Sequence, residues 1–183
     1  MKVVFLDRDG VINEYPGDTK YVTQWKEFKF IPGSIEALRK FNEYGFAIYI
    51  VSNQAGVGKG VYPQGKLDEI TKRMQGAFKK KRVRVDGIYY CTHTPQDNCL
   101  CRKPKTGLLE QALSHLEYPP QRSFVVGDSL SDIETAKNFG ALSVLVLSGR
   151  QKVSSLNSLK IRPDFVFDNL LLASHYICSH YGE

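Results

Sequence analysis

Two carboxylates one residue apart, Asp7 and Asp9, directly follow the apolar run at residues 3–6 and precede Gly10. Acids so placed at the tip of a buried strand can hold a hard cation such as Mg²⁺. A solvated acidic turn has the same local pattern, so the rest of the chain must decide between the two. A second group is more specific. Cys91-x-His93 and Cys99-x-Cys101, separated by five residues, supply three thiolates and an imidazole, the ligand set of a closed tetrahedral zinc site. Four protein ligands leave no place for water, so Zn²⁺ here would be structural, holding a loop of about residues 91–101 that has no core of its own. Arg102-Lys103-Pro104-Lys105 follows at once. Beside a carboxylate site these cations can neutralise phosphate oxygens, and an arginine can take two of them together.

The elements that must position these groups follow from periodicity. Residues 3–6, 46–51, 88–91, 123–126, 143–147 and 164–167 are short apolar runs rich in β-branched and aromatic residues, and read as strands. Helical spacing of apolar residues marks 34–44, 66–81, 107–116, 131–139 and 170–181 as helices, with Gly45 and Gly140 as stops. Residues 14–30, carrying Tyr15, Pro16, Gly17, Tyr21 and Trp25, have neither period and read as a flap beside the acids. Strands alternating with helices predict an α/β fold with a parallel sheet and helices on both faces. Its polar tips, Asp7–Asp9, the glycine-rich loop 52–60 and Gly127-Asp128-Ser129, would then gather along one edge. The cluster at 79–84 reads as a solvated helix end.

With 183 residues, 42% apolar and 24% charged, the chain suits a single domain over 1–183 with a full core. A net charge of +6 favours anionic partners without separating a phosphorylated metabolite from nucleic acid or a membrane surface. Charged Asp7 and Arg8 stand too close to Lys2 for a signal-peptide core, and no apolar run suits a membrane span. A cytoplasmic protein without a membrane partner is expected. Three clustered cysteines in such a chain suit ligation better than disulfides. Cys178 is expected to pack as a small apolar residue, and His115, His175 and His180 carry no assigned chemistry.

Together, Asp7-Arg8-Asp9-Gly10-Val11-Ile12-Asn13, Ser52-Asn53-Gln54-Ala55-Gly56, the Cys/His cluster, Arg102-Lys103-Pro104 and Gly127-Asp128 resemble the haloacid dehalogenase superfamily. Within it they are similar to the branch of heptose-bisphosphate and histidinol-phosphate phosphatases, and Gly56 to Gly60 with the Pro104 to Gly107 turn looks more like the heptose-bisphosphate group. The resemblance implies a three-layer, mostly parallel α/β sandwich without a large cap domain. It also implies Mg²⁺-dependent phosphomonoester hydrolysis through an aspartyl-phosphate, on a small sugar bisphosphate; a monomer is expected. Asp7 would be the nucleophile, and Asp9 the general acid and then base. Asp7, Asp9 through its backbone carbonyl, and Asp128 would hold Mg²⁺. Arg8, Ser52, Asn53, Gln54, Arg102 and Lys103 would bind phosphate or substrate. Histidinol phosphate and a polynucleotide 3′-phosphate are the alternative substrates. A zinc-stabilised nucleic-acid-binding module without catalysis is the remote alternative, and nucleic acid is not the expected partner. The flap at residues 15–19 is a few residues longer than in some relatives.

Overall fold

The computed structural model describes residues 2–114 and 122–182. Six strands, β1 (Lys2–Leu6), β2 (Phe46–Asn53), β3 (Gly87–Cys91), β4 (Ser123–Gly127), β5 (Leu142–Val146) and β6 (Phe165–Phe167), form one sheet in the order β3-β2-β1-β4-β5-β6. Every pairing is parallel. The helices are α1 (Ser34–Glu43), α2 (Gln64–Lys80), α3 (Gly107–Leu113), α4 (Leu130–Phe139) and α5 (Leu170–Tyr181). The expected end of the third helix at Leu116, and His115, lie outside the described residues.

The central strands are apolar almost without interruption because helices cover both faces. Val4, Leu6, Phe46, Ile48 and Ile50 pack with α1, α2 and α5, while Val3, Phe5, Tyr49 and Val51 pack with α3 and α4. Alternate residues of each strand thus serve opposite layers. At 25 cal/mol per Å² or so of apolar surface removed from water, these layers supply the main drive to fold. Cys178 is buried in the first layer, as a small apolar residue would be.

The strand order reverses at β1. From β1 the chain moves outward through β2 to β3, then crosses back to β4 on the other side of β1. Loops leaving β1 and β4 therefore part in opposite directions and open a crevice at their carboxyl ends. Register brings the tips level: Leu6 lies beside Ile50 of β2 and beside Val126 of β4. The residues that follow, Asp7 after β1 and Asp128 after β4, must then face one another across that crevice.

Phe41, fully buried in α1, meets the Phe46 ring edge-on at 5.4 Å between centroids. Phe41→Ala should destabilise the protein by about 3–5 kcal/mol, read as a lower urea midpoint at constant slope.

Candidate active site

Beyond β1 the backbone continues its ladder for one step, the Asp7 amide donating to the Val126 carbonyl at 3.0 Å. It then turns tightly. Gly10 takes φ +81°, and the Ile12 and Asn13 amides return to the Arg8 carbonyl at 2.9 and 3.1 Å. The glycine is required twice over, because a Cβ there would meet the Asp128 carboxylate at 2.2 Å. Gly149, in the loop after β5, backs the same carboxylate from another side, where a Cβ would lie 2.0 Å from it. The Arg150 amide donates to Asp128 Oδ2 at 2.7 Å, so Asp128 is seated by backbone on two sides.

Carboxylate oxygens of Asp7, Asp128 and Asp132 lie within 4.8 Å of one another. Asp132 enters from the first turn of α4, where Ser129 and Asp132 cap the helix reciprocally. The Ser129 hydroxyl and amide donate to Asp132 Oδ2 at 2.6 and 3.2 Å, leaving Oδ1 for the Lys103 ammonium at 2.5 Å. Lys103 Nζ also lies 3.1 Å from Asp7 Oδ1 and donates to the Val51 carbonyl at 3.0 Å. Burial opposes the Lys103 charge, but Asp132 and Asp7 outweigh it and hold its pKa above the ordinary lysine range.

One ammonium faces three acids. Burial pushes Asp7 up to about 6 against the pull of Lys103, and pushes Asp128 up to about 8, with Asp7 and Asp132 adding to the effect. A seat of converging carboxylates that resists holding all its charges is one that a divalent cation completes, so the residues fit such an ion. The Asp9 carboxylate stands outside this group, which leaves its backbone carbonyl as the expected ligand.

Asp9 has its own surroundings. Asn13 Nδ2 donates to Oδ1 at 2.8 Å and Gln54 Nε2 to Oδ2 at 2.8 Å, while Arg8 Nη2 reaches both oxygens at 3.1 and 3.0 Å. Gln54 Oε1 in turn accepts from Arg8 Nη2 at 3.1 Å and from the Tyr62 hydroxyl at 2.9 Å. Burial pushes Tyr62 up to about 12, so it remains a donor. Arg8 and Gln54, expected to meet substrate, are instead buried behind Asp9. Arg8 is fully enclosed, with its guanidinium over the Tyr90 ring at 5.7 Å. The chain bends at Arg8 directly after β1, and the bend places Arg8 against Asp9, Gln54 and Tyr90 while Asp7 and Asp9 line the cleft. The structure therefore corrects Arg8 from a phosphate contact to a support of Asp9.

At the tip of β2, Ser52 and Asn53 line the cleft. The Asn53 side-chain amide exchanges two hydrogen bonds with the Lys103 backbone, both 3.1 Å, tying β2 to the segment after the Cys/His loop. In that loop Cys91 Sγ lies 3.6 Å from Cys99 Sγ, which lies 3.5 Å from Cys101 Sγ. His93 Nδ1 stands 3.7 Å from Cys91 Sγ and 3.3 Å from Cys101 Sγ. Tetrahedral Zn²⁺ with bonds of about 2.0–2.3 Å sets ligand atoms some 3.3–3.8 Å apart, so the four residues fit the ion. Arg102 bonds the His93 carbonyl and turns to the cleft with Lys103.

The cleft, of about 310 Å³, holds Asp7, Asp9, Lys103 and Asp128, while Tyr15, Lys20, Tyr21, Lys59, Arg102 and Arg150 contribute to its lining. Asp132, Tyr62, Asn13 and Arg150 were not singled out from sequence. For Asp132 a signal was available, since Ser129-x-x-Asp132 is a capping pattern opening a helix on a polar tip. Cys99→Ala should lose stoichiometric zinc and about tenfold or more of any cleft activity, checked by metal analysis beside turnover, because Arg102 and Lys103 hang from the loop.

The family described as "HAD-hyrolase-like" matches residues 100–173. Over 179 residues the chain is 35% identical to the D-glycero-beta-D-manno-heptose-1,7-bisphosphate 7-phosphatase of Haemophilus influenzae, covering 93% of each. Its counterpart from Escherichia coli is 38% identical over 156 residues, covering 80% of each. Among solved structures, the D,D-heptose 1.7-bisphosphate phosphatase from B. bronchiseptica, complexed with magnesium and phosphate, superposes with a TM-score of 0.90 at 29% identity over 98% of this chain and 99% of that one. An all-parallel sheet with its acids at the switch point, joined to such likeness along nearly the whole length, places the chain in the heptose-bisphosphate phosphatase family of the haloacid dehalogenase-like hydrolases.

Proposed function

We propose that the protein is a Mg²⁺-dependent phosphatase that removes the 7-phosphate of D-glycero-β-D-manno-heptose 1,7-bisphosphate, with Asp7 as nucleophile. The observation that carries this reading is the convergence of Asp7, Asp128 and Asp132 on one buried point, served by the single ammonium of Lys103. Asp7, Asp128 and the Asp9 carbonyl would hold the cation, with Asp132 in reach beside them. When bound, Mg²⁺ offsets the repulsion between the Asp7 carboxylate and an incoming phosphate.

The chain's own groups account for the rest. An Asp7 oxygen attacks phosphorus, the bond to the sugar oxygen breaks, and the phosphoryl group passes to Asp7. Asp9 lends its proton to the departing alkoxide. It then takes one from the water that attacks the aspartyl-phosphate, releasing phosphate and restoring both acids. Arg8, Asn13 and Gln54 fix the Asp9 carboxylate for this shuttling. Ser52, the Asn53 backbone and Lys103 offer donors to the equatorial oxygens, where charge gathers as the bond breaks. Arg102 reaches the substrate beyond the transferred group. The structural zinc would keep Arg102 and Lys103 in place. Free metal-ligating thiols suit a reducing compartment, the cytoplasm.

Asp7→Asn should lose at least about 10⁴-fold in turnover while unfolding at the same urea concentration as wild type, measured by phosphate release and by circular dichroism. Steady-state kinetics on both heptose bisphosphate anomers and on histidinol phosphate should give the β anomer the highest kcat/KM; a preference for histidinol phosphate would overturn the substrate assignment.

Raised carboxyl pKa values mean that protons and Mg²⁺ compete for the seat. Asp128 loses its proton only near pH 8 and Asp7 only near pH 6, so cation binding should tighten as pH rises across this window. Apparent Mg²⁺ affinity should weaken by about tenfold per unit as pH falls below 8, with a steeper dependence below 6, measured by titrating activity at each pH.

A further inference from the structure

The lip of the cleft holds more positive charge than one phosphate requires. Lys103 lies deep beside Asp7, whereas Lys20, Lys59, Arg102 and Arg150 stand around the cleft above it. Arg150 differs from the rest in how it is mounted. Its amide is bonded to the Asp128 carboxylate, Gln151 donates to the Asp128 carbonyl at 3.0 Å, and the Ser148 hydroxyl donates to the Gly10 carbonyl at 2.7 Å. Its Cα is therefore fixed relative to the cation seat, while its guanidinium is about half exposed.

That guanidinium is occupied by the flap. Arg150 Nη2 lies 2.8 Å from Asp18 Oδ1, and Nε lies 3.0 Å from the same oxygen and 3.0 Å from the Tyr15 hydroxyl. The Tyr15 hydroxyl donates to Asp18 Oδ1 at 2.6 Å, and the Tyr15 ring sits under the guanidinium at 5.6 Å. One carboxylate oxygen of the flap thus holds an arginine at the entrance of a phosphate-binding cleft. Such an exposed pair is weak, because water screens both partners and long side chains lose freedom in forming it. A phosphate dianion carries more charge and can take a guanidinium through two parallel bonds. Between the two anions, the phosphate wins.

We propose that Arg150 is a specificity residue for the phosphate that is not transferred, and that Asp18 is its tethered competitor, displaced when a bisphosphate enters. The inference rests on the proposed sugar-bisphosphate substrate. A monophosphate has no second anion to claim Arg150 and leaves the Asp18 contact in place, so selectivity for bisphosphates arises at the rim rather than at the reacting phosphorus.

The test is kcat/KM for heptose 1,7-bisphosphate and for heptose 7-phosphate in wild type, Arg150→Gln and Asp18→Asn. Arg150→Gln should reduce the ratio of bisphosphate to monophosphate kcat/KM by about tenfold or more, chiefly through KM, since one bond to a charged group is lost on only one substrate. Asp18→Asn should lower KM for the bisphosphate by a few-fold, since the competitor loses its charge. An equal fall on both substrates in Arg150→Gln would assign the residue a purely structural part under Asp128 and overturn the inference. So would Asp18→Asn behaving like Arg150→Gln, because the ion pair itself would then be what binding needs. If wild type leaves heptose 1,7-bisphosphate intact, the substrate reading falls, and the same ratio on fructose 1,6-bisphosphate and fructose 6-phosphate decides the part of Arg150 alone.

Discussion

Three acids crowded around one buried ammonium set the terms for the rest of the molecule. Carboxylates at such spacing in a medium of low polarisability repel, and burial with that repulsion raises the pKa of Asp7 and Asp128. The fold holds them together through backbone as well as through the Lys103 charge. Parallel strands bring Leu6 and Val126 level, the reversal of strand order opens the crevice, and two glycines let the main chain close around Asp128. The resulting tension is useful for chemistry, because a cation and a phosphate arriving together relieve it.

Lys103 is the only cation that the fold places inside this group among the described residues, and it does not reach there by helix or strand. It follows a loop whose few apolar residues give it no core; Leu100, for example, is 79% exposed. Cross-linking through a metal is the economical way to fix so short a segment. The reciprocal amide pair with Asn53 adds a second fastening, directly to the sheet. The Cys/His cluster and the acids are thus two parts of one device, although no ligand is common to both.

Much of this is legible in the sequence. Parallel strands buried on both faces appear as unbroken apolar runs, and Phe46–Asn53 or Ser123–Gly127 could hardly be anything else. Polar groups at the ends of those runs located the crevice, and the tight cysteine spacing located the metal loop. What was missed had physical reasons. Asp132 presents itself as an ordinary helix cap, and nothing local says that its second oxygen is aimed at a lysine 29 positions earlier. Arg8 sits between two acids of the matched motif, and the resemblance carried it into the phosphate-binding set. The bend after β1 turns it inward, where Asp9, Gln54 and Tyr90 receive it. Arg150 gained its place through a main-chain bond to Asp128 across the crevice, which no spacing rule encodes.

The two loops that meet at Arg150 differ in how freely they could change over generations. The segment after β5 touches Asp128 through successive amides and through a glycine with no space for a side chain, so an inserted residue there would disturb the cation seat itself. The segment at 15–19 meets the opposite constraint: its carboxylate is three-quarters exposed, and Gly17 has only one neighbour near its absent Cβ. Length and composition can drift in this flap while the charge cluster beneath stays intact. A lineage could thereby alter which molecules are admitted without reinventing how the phosphate is removed.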